Sequence, residues 1–351
     1  MAYTTIDDPS AHFQADTYTG GQTITFDGNS DLQPDWIWIK ARTTAENWRA
    51  FDTSRGIGNG TNETKALVIS GAAGSEESSN IVTSMNSDGV TLNTSDAFLN
   101  SSSHTYLLSA WKANGGSTSS NTSGSITSTV QANTTAGFSI VTYVGVGSST
   151  VSTIGHSLGA VPDMIIIKTR SDTESWNVYH QAIGNTKKLF LNTNGAEATT
   201  GNFDDTSPTS TLFTVTGDQI NDSSDNVIAY CFKGIQGYSK FGSYKGNGIA
   251  DGTFVYTGFK PAWLLLKQSN ASGEHWRLLD STRSTFNQVN KHLAPSIAGL
   301  ESAETGCDFL SNGFKLRDGD THQNGDGHDY VYAAFAEQPF VSSTGIPCTA
   351  R

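Results

Sequence analysis

The chain has 351 residues and a formal net charge of −12; only 15% of the residues are charged, and 36 are glycine. This balance excludes a sequence-independent grip on nucleic acid, which needs clustered Lys and Arg to displace counterions, and it argues against long helices, which need runs of Ala, Glu, Lys and Leu. No stretch approaches membrane-spanning length, and three cysteines, Cys231, Cys307 and Cys348, are too few and too scattered for a disulfide framework or a zinc site.

In chain order, the first residues, Met1-Ala2-Tyr3-Thr4-Thr5-Ile6-Asp7-Asp8, lack the basic and apolar regions of a signal peptide, so a soluble product made in a cytoplasm is expected. Tyr18-Thr19-Gly20-Gly21 then reads as a strand running into a tight turn. Pro34-Asp35-Trp36-Ile37-Trp38-Ile39-Lys40 follows, with four large apolar residues between a breaker and a charge. That pattern suits a strand covered on both faces, and proline fits ahead of the ladder because it has no N–H to donate. Next come Trp48-Arg49-Ala50-Phe51-Asp52-Thr53-Ser54-Arg55, a hairpin over 82–92 with Asp88-Gly89 at its bend, and an aromatic strand, Tyr106-Leu107-Leu108-Ser109-Ala110-Trp111.

The same text returns twice. Pro162-Asp163-Met164-Ile165-Ile166-Ile167-Lys168 and Pro261-Ala262-Trp263-Leu264-Leu265-Leu266-Lys267 repeat the covered strand. Trp276-Arg277-Leu278-Leu279-Asp280-Ser281-Thr282-Arg283 repeats the tryptophan segment, whereas the middle copy keeps Trp176 and diverges into Asn177-Val178-Tyr179-His180. Val227-Ile228-Ala229-Tyr230-Cys231-Phe232 and Tyr330-Val331-Tyr332-Ala333-Ala334-Phe335 close the later copies, and Phe309-Leu310-Ser311-Asn312-Gly313-Phe314-Lys315-Leu316 is a second hairpin, with Asn-Gly. Three copies make a repeat with units of roughly a hundred residues, a common domain size. The predicted fold is therefore all-β, with three tandem antiparallel β-sandwich (jelly-roll-like) repeats at 1–116, 137–236 and 237–341. A Ser/Thr/Asn/Gly-rich linker is expected at 117–136, where Ile126 to Val130 could add an edge strand, and a C-terminal tail at 342–351. Almost nothing separates the second and third units, which predicts that they pack as one block with the first attached more loosely.

Four groups of residues invite a functional reading. Gly155-His156-Ser157-Leu158-Gly159 satisfies the Gly-x-Ser-x-Gly elbow of serine hydrolases, but Pro162 blocks the helix an elbow requires, and a glycine-rich turn is the expected structure. The run 318–329 is rich in oxygen and imidazole donors without the spacing of a helix-loop-helix calcium loop. Asp318, Asp320 and Asp326 are its candidate metal ligands, and an exposed hairpin tip is the competing expectation. Asp52 with Arg55 and Asp280 with Arg283 recur at equivalent places, which points to local bridges; glycosidases need two carboxylates flanking one bond. Trp48, Trp176 and Trp276 share one repeat position, which favours core over a sugar-stacking platform, and Trp36, Trp38 and Trp263 fall in the covered strand. Cys231 reads as a buried thiol, and Asn-x-Ser/Thr sites such as Asn62 and Asn121 follow from composition. No catalytic residue and no cofactor is assigned.

The opening Met1-Ala2-Tyr3-Thr4-Thr5-Ile6-Asp7-Asp8-Pro9, the Gln33-Pro34-Asp35-Trp36-Ile37-Trp38-Ile39-Lys40 strand, Thr135-Ala136-Gly137-Phe138-Ser139-Ile140-Val141-Thr142-Tyr143, and Gly237-Tyr238-Ser239-Lys240-Phe241-Gly242-Ser243-Tyr244 resemble a family of structural proteins of marine tailed bacteriophages. The resemblance runs from the N-terminus to Phe340 and carries no enzymatic residues. It implies a virion component, assembled in the host bacterial cytoplasm. A tail fibre or receptor-binding protein is expected first, acting by non-covalent adhesion to a host-surface glycan or protein. Its expected partners are other virion proteins and itself, as a homo-oligomer with three-fold symmetry, without nucleic acid or membrane insertion. A capsid decoration protein is the alternative, and a carbohydrate-active hydrolase the distant one.

Overall fold

The computed structural model describes all residues except 1, 22, 58–63, 72–73, 75, 80, 94–95, 97 and 349–351, and the backbone alone at 64 and 78–79. Its regular structure is almost wholly antiparallel β, in three large sheets and two small ones. Each large sheet is built on the same run of strands: an opening strand, the closing aromatic strand, the covered strand, the tryptophan strand, and a further strand. In the first sheet these are Phe13–Thr19, Thr105–Trp111, Trp36–Ala41, Arg49–Asp52 and Thr64–Val68. In the second they are Phe138–Val144, Asn226–Phe232, Met164–Thr169, Asn177–His180 and Lys187–Phe190. In the third they are Ser239–Lys245, Asp329–Pro339, Phe259–Gln268, Arg277–Asp280 and Val289–Leu293.

Registers match across the copies. Trp36 faces Trp111 and Asp52, Met164 faces Phe232 and His180, and Trp263 faces Phe335 and Asp280. The period of two along the covered strand then sends neighbouring side chains to different cores. Ile37 and Ile39, Ile165 and Ile167, and Leu264 and Leu266 each enter a separate cluster within their own third of the chain. Trp36, Trp38, Met164, Ile166, Trp263 and Leu265 point the other way, into one cluster shared by all three sheets. The expectation that these strands are covered on both faces is met, and the second cover is the other two sheets.

Outside this centre, the small sheet of Thr23–Ile24, Val82–Met85 and Val90–Leu92 covers the first sheet, and Ser152–Gly155 with Leu212–Val215 covers the second. The third sheet supplies its own cover by continuing through Ser302–Leu310 and Gly313–Leu316 to Phe254–Tyr256. Gly313 is needed for space rather than for a left-handed turn, since a Cβ there would lie 2.1 Å from the Val255 carbonyl oxygen. Gly89, by contrast, has φ +98°, the geometry anticipated for the Asp88-Gly89 bend.

Two expectations of organisation meet a different arrangement. The stretch 117–136 contains Ser119–Asn121 and Ser128–Asn133, which extend the second sheet at its edge, and Gln131 donates to Thr53 and Ser54 at 2.8 and 2.6 Å. Ser119–Asn121 is an exposed edge, which satisfies its backbone without apolar side chains, whereas Ser128–Asn133 lies between two strands with Ser128, Val130 and Gln131 buried and overlaps the strand expected from Ile126 to Val130. The first sheet is also packed as closely as the others, because its tryptophans are large enough to cross the centre: the Trp111 and Trp263 rings lie 5.6 Å apart and Phe13 stacks on Phe335 at 4.9 Å. Residues 342–348 turn back on the body, with Ser343 bonded to Asp7 and Cys348 N–H donating to Phe340 O at 2.9 Å.

Candidate functional site

The repeated tryptophans are interior. Trp48, Trp176 and Trp276 are 0%, 0% and 1% exposed, so their rings are closed to a sugar face. Each indole nitrogen instead donates to a neighbouring sheet: Trp48 to Ala294 O at 2.9 Å, Trp176 to Val68 O at 2.8 Å, and Trp276 to Phe190 O at 2.9 Å. The first copy bonds to the third, the third to the second, and the second to the first. The three acceptors follow from the registers as one repeat position, beside the residue after each tryptophan. The sheets therefore form a closed cycle with approximate three-fold symmetry inside one chain.

Along each seam between sheets runs a second repeated contact. Glu76 N–H donates to Arg170 O, Glu197 N–H to Ser269 O, and Glu301 N–H to Arg42 O, at 2.7, 2.7 and 3.0 Å. Arg42, Arg170 and Ser269 all stand two residues beyond the lysine of the covered strand. At two seams the arginine grips the glutamate with both nitrogens: Arg170 on Glu76 at 2.7 and 3.1 Å, and Arg42 on Glu301 at 2.8 and 3.0 Å. The local pairs predicted from sequence feed these seams. Arg55 is bonded to Asp52 and lies 3.4 Å from Glu76, while Arg283 is 2.5 Å from Asp280 and 3.3 Å from Glu301. Burial alone would raise the Glu76 and Glu301 carboxyls, but the surrounding guanidinium groups outweigh it and hold both below the usual range. Sequence reasoning missed these glutamates because they sit outside the strands; the aligned Arg42 and Arg170 were the available signal.

The lysines next to last in the covered strands are fully buried and donate to backbone carbonyls: Lys40 to Ala41, Lys168 to Thr169 and Asp172, and Lys267 to Gln268. Burial pushes all three down to about 8. His180, which occupies the place of Asp52 and Asp280, is pushed down to about 4 by burial, with its Nε2 3.3 Å from Tyr332 O.

The remaining candidates separate. In Gly155–Gly159, Ser157 has φ +57°, and its Oγ accepts from Asn121 Nδ2 at 2.8 Å. His156 is turned away, with Nδ1 accepting from Leu158 N–H and Nε2 3.1 Å from Thr209 O, so the pair is not arranged as base and nucleophile. Asn62 lies outside the described residues. Burial raises the Cys231 thiol well above its ordinary value, consistent with an inert core residue. In the 318–329 loop, donor atoms of Asp318, Asp320 and His322 lie within 4.8 Å of one another, whereas Asp326 is not in that group and packs beside Gly248. Two carboxylates and an imidazole suit a divalent cation, but Gln323 Nε2 already donates to Asp318 Oδ2 at 2.6 Å, and Glu304 nearby is bonded to Arg277.

Fold and seams together define an all-β protein whose three sheets close around one aromatic centre. One family model matches residues 8–339, the span of all three sheets, and is described as a domain of unknown function, DUF7483. The chain belongs to that family. No curated protein and no solved structure matches it.

Proposed function

We propose that this chain is an exposed structural protein of a bacteriophage particle, a tail fibre or receptor-binding component that acts by non-covalent adhesion and carries no catalytic centre. The observation that carries the reading is where the chemistry-bearing side chains go. All seven tryptophans are buried, and the recurring Asp, Arg and Glu groups are engaged in seams between sheets. A body braced in this way is suited to load and exposure, and its glycine-rich loops are left to vary as a contact surface. The resemblance carried by the opening residues, the covered strand and the 237–244 segment supports the same reading.

In finer terms, we take the chain as three tandem antiparallel sandwich repeats of a jelly-roll-like unit, for which the shared strand order and matching registers are the support. Other virion proteins and further copies of the chain are its proposed partners, with a host-surface glycan or protein as the target. Cryo-electron microscopy of the whole particle tests this: density for the chain at the tail tip or on a fibre is expected. Density on the head would assign a capsid decoration role, and absence from purified particles would overturn the virion reading. Light scattering of the purified chain tests the homo-oligomer.

A further inference from the structure

The seam between the second and third sheets breaks the pattern of the other two. Its glutamate, Glu197, keeps the backbone bond to the facing strand, but the position that supplies Arg42 and Arg170 elsewhere is Ser269. The position of Arg55 and Arg283, three residues beyond Asp52 and Asp280, is Ile183, three beyond His180. Both guanidinium groups that converge on Glu76 and Glu301 are thus missing here, and a cavity of about 400 Å³ opens between Ile183, Lys187, Glu197, Lys245, Ser269 and Asp329. Its size is that of a small-ligand site.

We propose that this gap receives the arginine side chain of a partner protein, which pairs with Glu197 as Arg170 pairs with Glu76. Glu197 is bonded to Lys187. That contact does not exclude an arginine, because at the first seam Lys65 stays 3.8 Å from Glu76 while Arg170 holds the same carboxylate through two bonds. A planar guanidinium makes such paired bonds and an ammonium does not, so the site selects arginine over lysine. Ile183 supplies an apolar wall for the methylene stem.

Calorimetric titration with N-acetyl-arginine methylamide, and with its lysine counterpart, tests the site in the purified chain. Arginine is expected to bind at least ten-fold more tightly than lysine. Ser269→Arg, which restores the missing group from within, should weaken arginine binding at least ten-fold and raise the melting temperature, and Glu197→Gln should weaken binding without lowering that temperature by more than a few degrees. No detectable arginine binding, equal binding of lysine, or binding unchanged in Ser269→Arg would each overturn the assignment. The last variant adds a bond where space exists, so it remains decisive if Glu197→Gln fails to fold.

Discussion

The ring of Trp36 lies on the ring of Tyr230 with centroids 4.1 Å apart and planes 18° from parallel, and the hydroxyl of the same tyrosine donates to Asp52 Oδ2 at 2.7 Å. One side chain from the second sheet therefore joins the aromatic centre of the molecule to the buried Asp52–Arg55 pair of the first. Burial raises the tyrosine's own ionisation well above its ordinary value, and Asp52 adds to that.

Tyr230→Phe keeps the stack and removes only the hydroxyl, leaving a buried carboxylate oxygen short of a donor. The expected loss is about 1–3 kcal/mol in urea unfolding. Arg55→Met leaves the hydroxyl but removes the charge partner of Asp52, and should cost about 3–5 kcal/mol. A Tyr230→Phe effect equal to the Arg55→Met effect would show that the hydroxyl, and not the ion pair, holds the seam.

Trp176→Ala empties a space between two sheets and should destabilise by about 3–5 kcal/mol. Because the centre is shared, unfolding followed by tryptophan fluorescence and by far-ultraviolet circular dichroism should give coincident single transitions before and after the substitution. Three resolved transitions would mean that the sheets fold as separate bodies.

Stability should be greatest in alkaline solution. Lys40, Lys168 and Lys267 titrate near 8 in the folded chain and near 10.5 when unfolded, so between those values the unfolded state holds more protons and stability rises with pH. Tyr18, Tyr143 and Tyr244 work in the opposite sense above pH 10.0, where unfolded tyrosines ionise and these do not. Denaturation midpoints measured from pH 7 to 11 should rise from about 8 and peak near 10, and Lys168→Met should flatten the rise.

On the acid side His180 is the probe. Its folded value of about 4 lies below the ordinary 6.5, so its contribution is complete above 6.5 and is lost as pH falls toward 4. An imidazole resonance that titrates with a midpoint near 6.5 in the folded protein would refute the burial argument, and His180→Gln should remove part of the acid sensitivity.

The strand phrases and their order were legible because a strand covered on both faces reads as a short unbroken apolar run, and the interior place of Trp48, Trp176 and Trp276 because they recur at one repeat position. The shared centre was not. Trp36 and Ile37 are both apolar, and nothing in adjacent apolar letters says that Ile37 enters a cluster within its own third of the chain while Trp36 faces two more sheets. The edge strand at 119–121 was obscured for the opposite reason, since an exposed ladder needs no apolar side chains, whereas the strand at 128–133 overlaps the stretch from Ile126 to Val130 whose two apolar residues marked it. Gly313 was read as a turn residue when its role is to admit the Val255 carbonyl. In the 318–329 run, composition drew attention to Asp326, while the chain's path brought His322 to Asp318 and Asp320 instead.

The bond from Trp48 to Ala294 spans 246 residues and runs from the earliest third of the chain to the last. On a ribosome the first indole must therefore wait for the third sheet before its acceptor exists, and until then only the side of the aromatic face where Trp36 meets Phe138, Tyr230 and Phe232 has a cover, while Trp38 and Trp111 still lack Trp263. A nascent chain of this design is most vulnerable to sticking before its third sheet is made, and a premature stop at that stage leaves Phe13, Trp38 and Trp111 without the Trp263 and Phe335 rings that close over them.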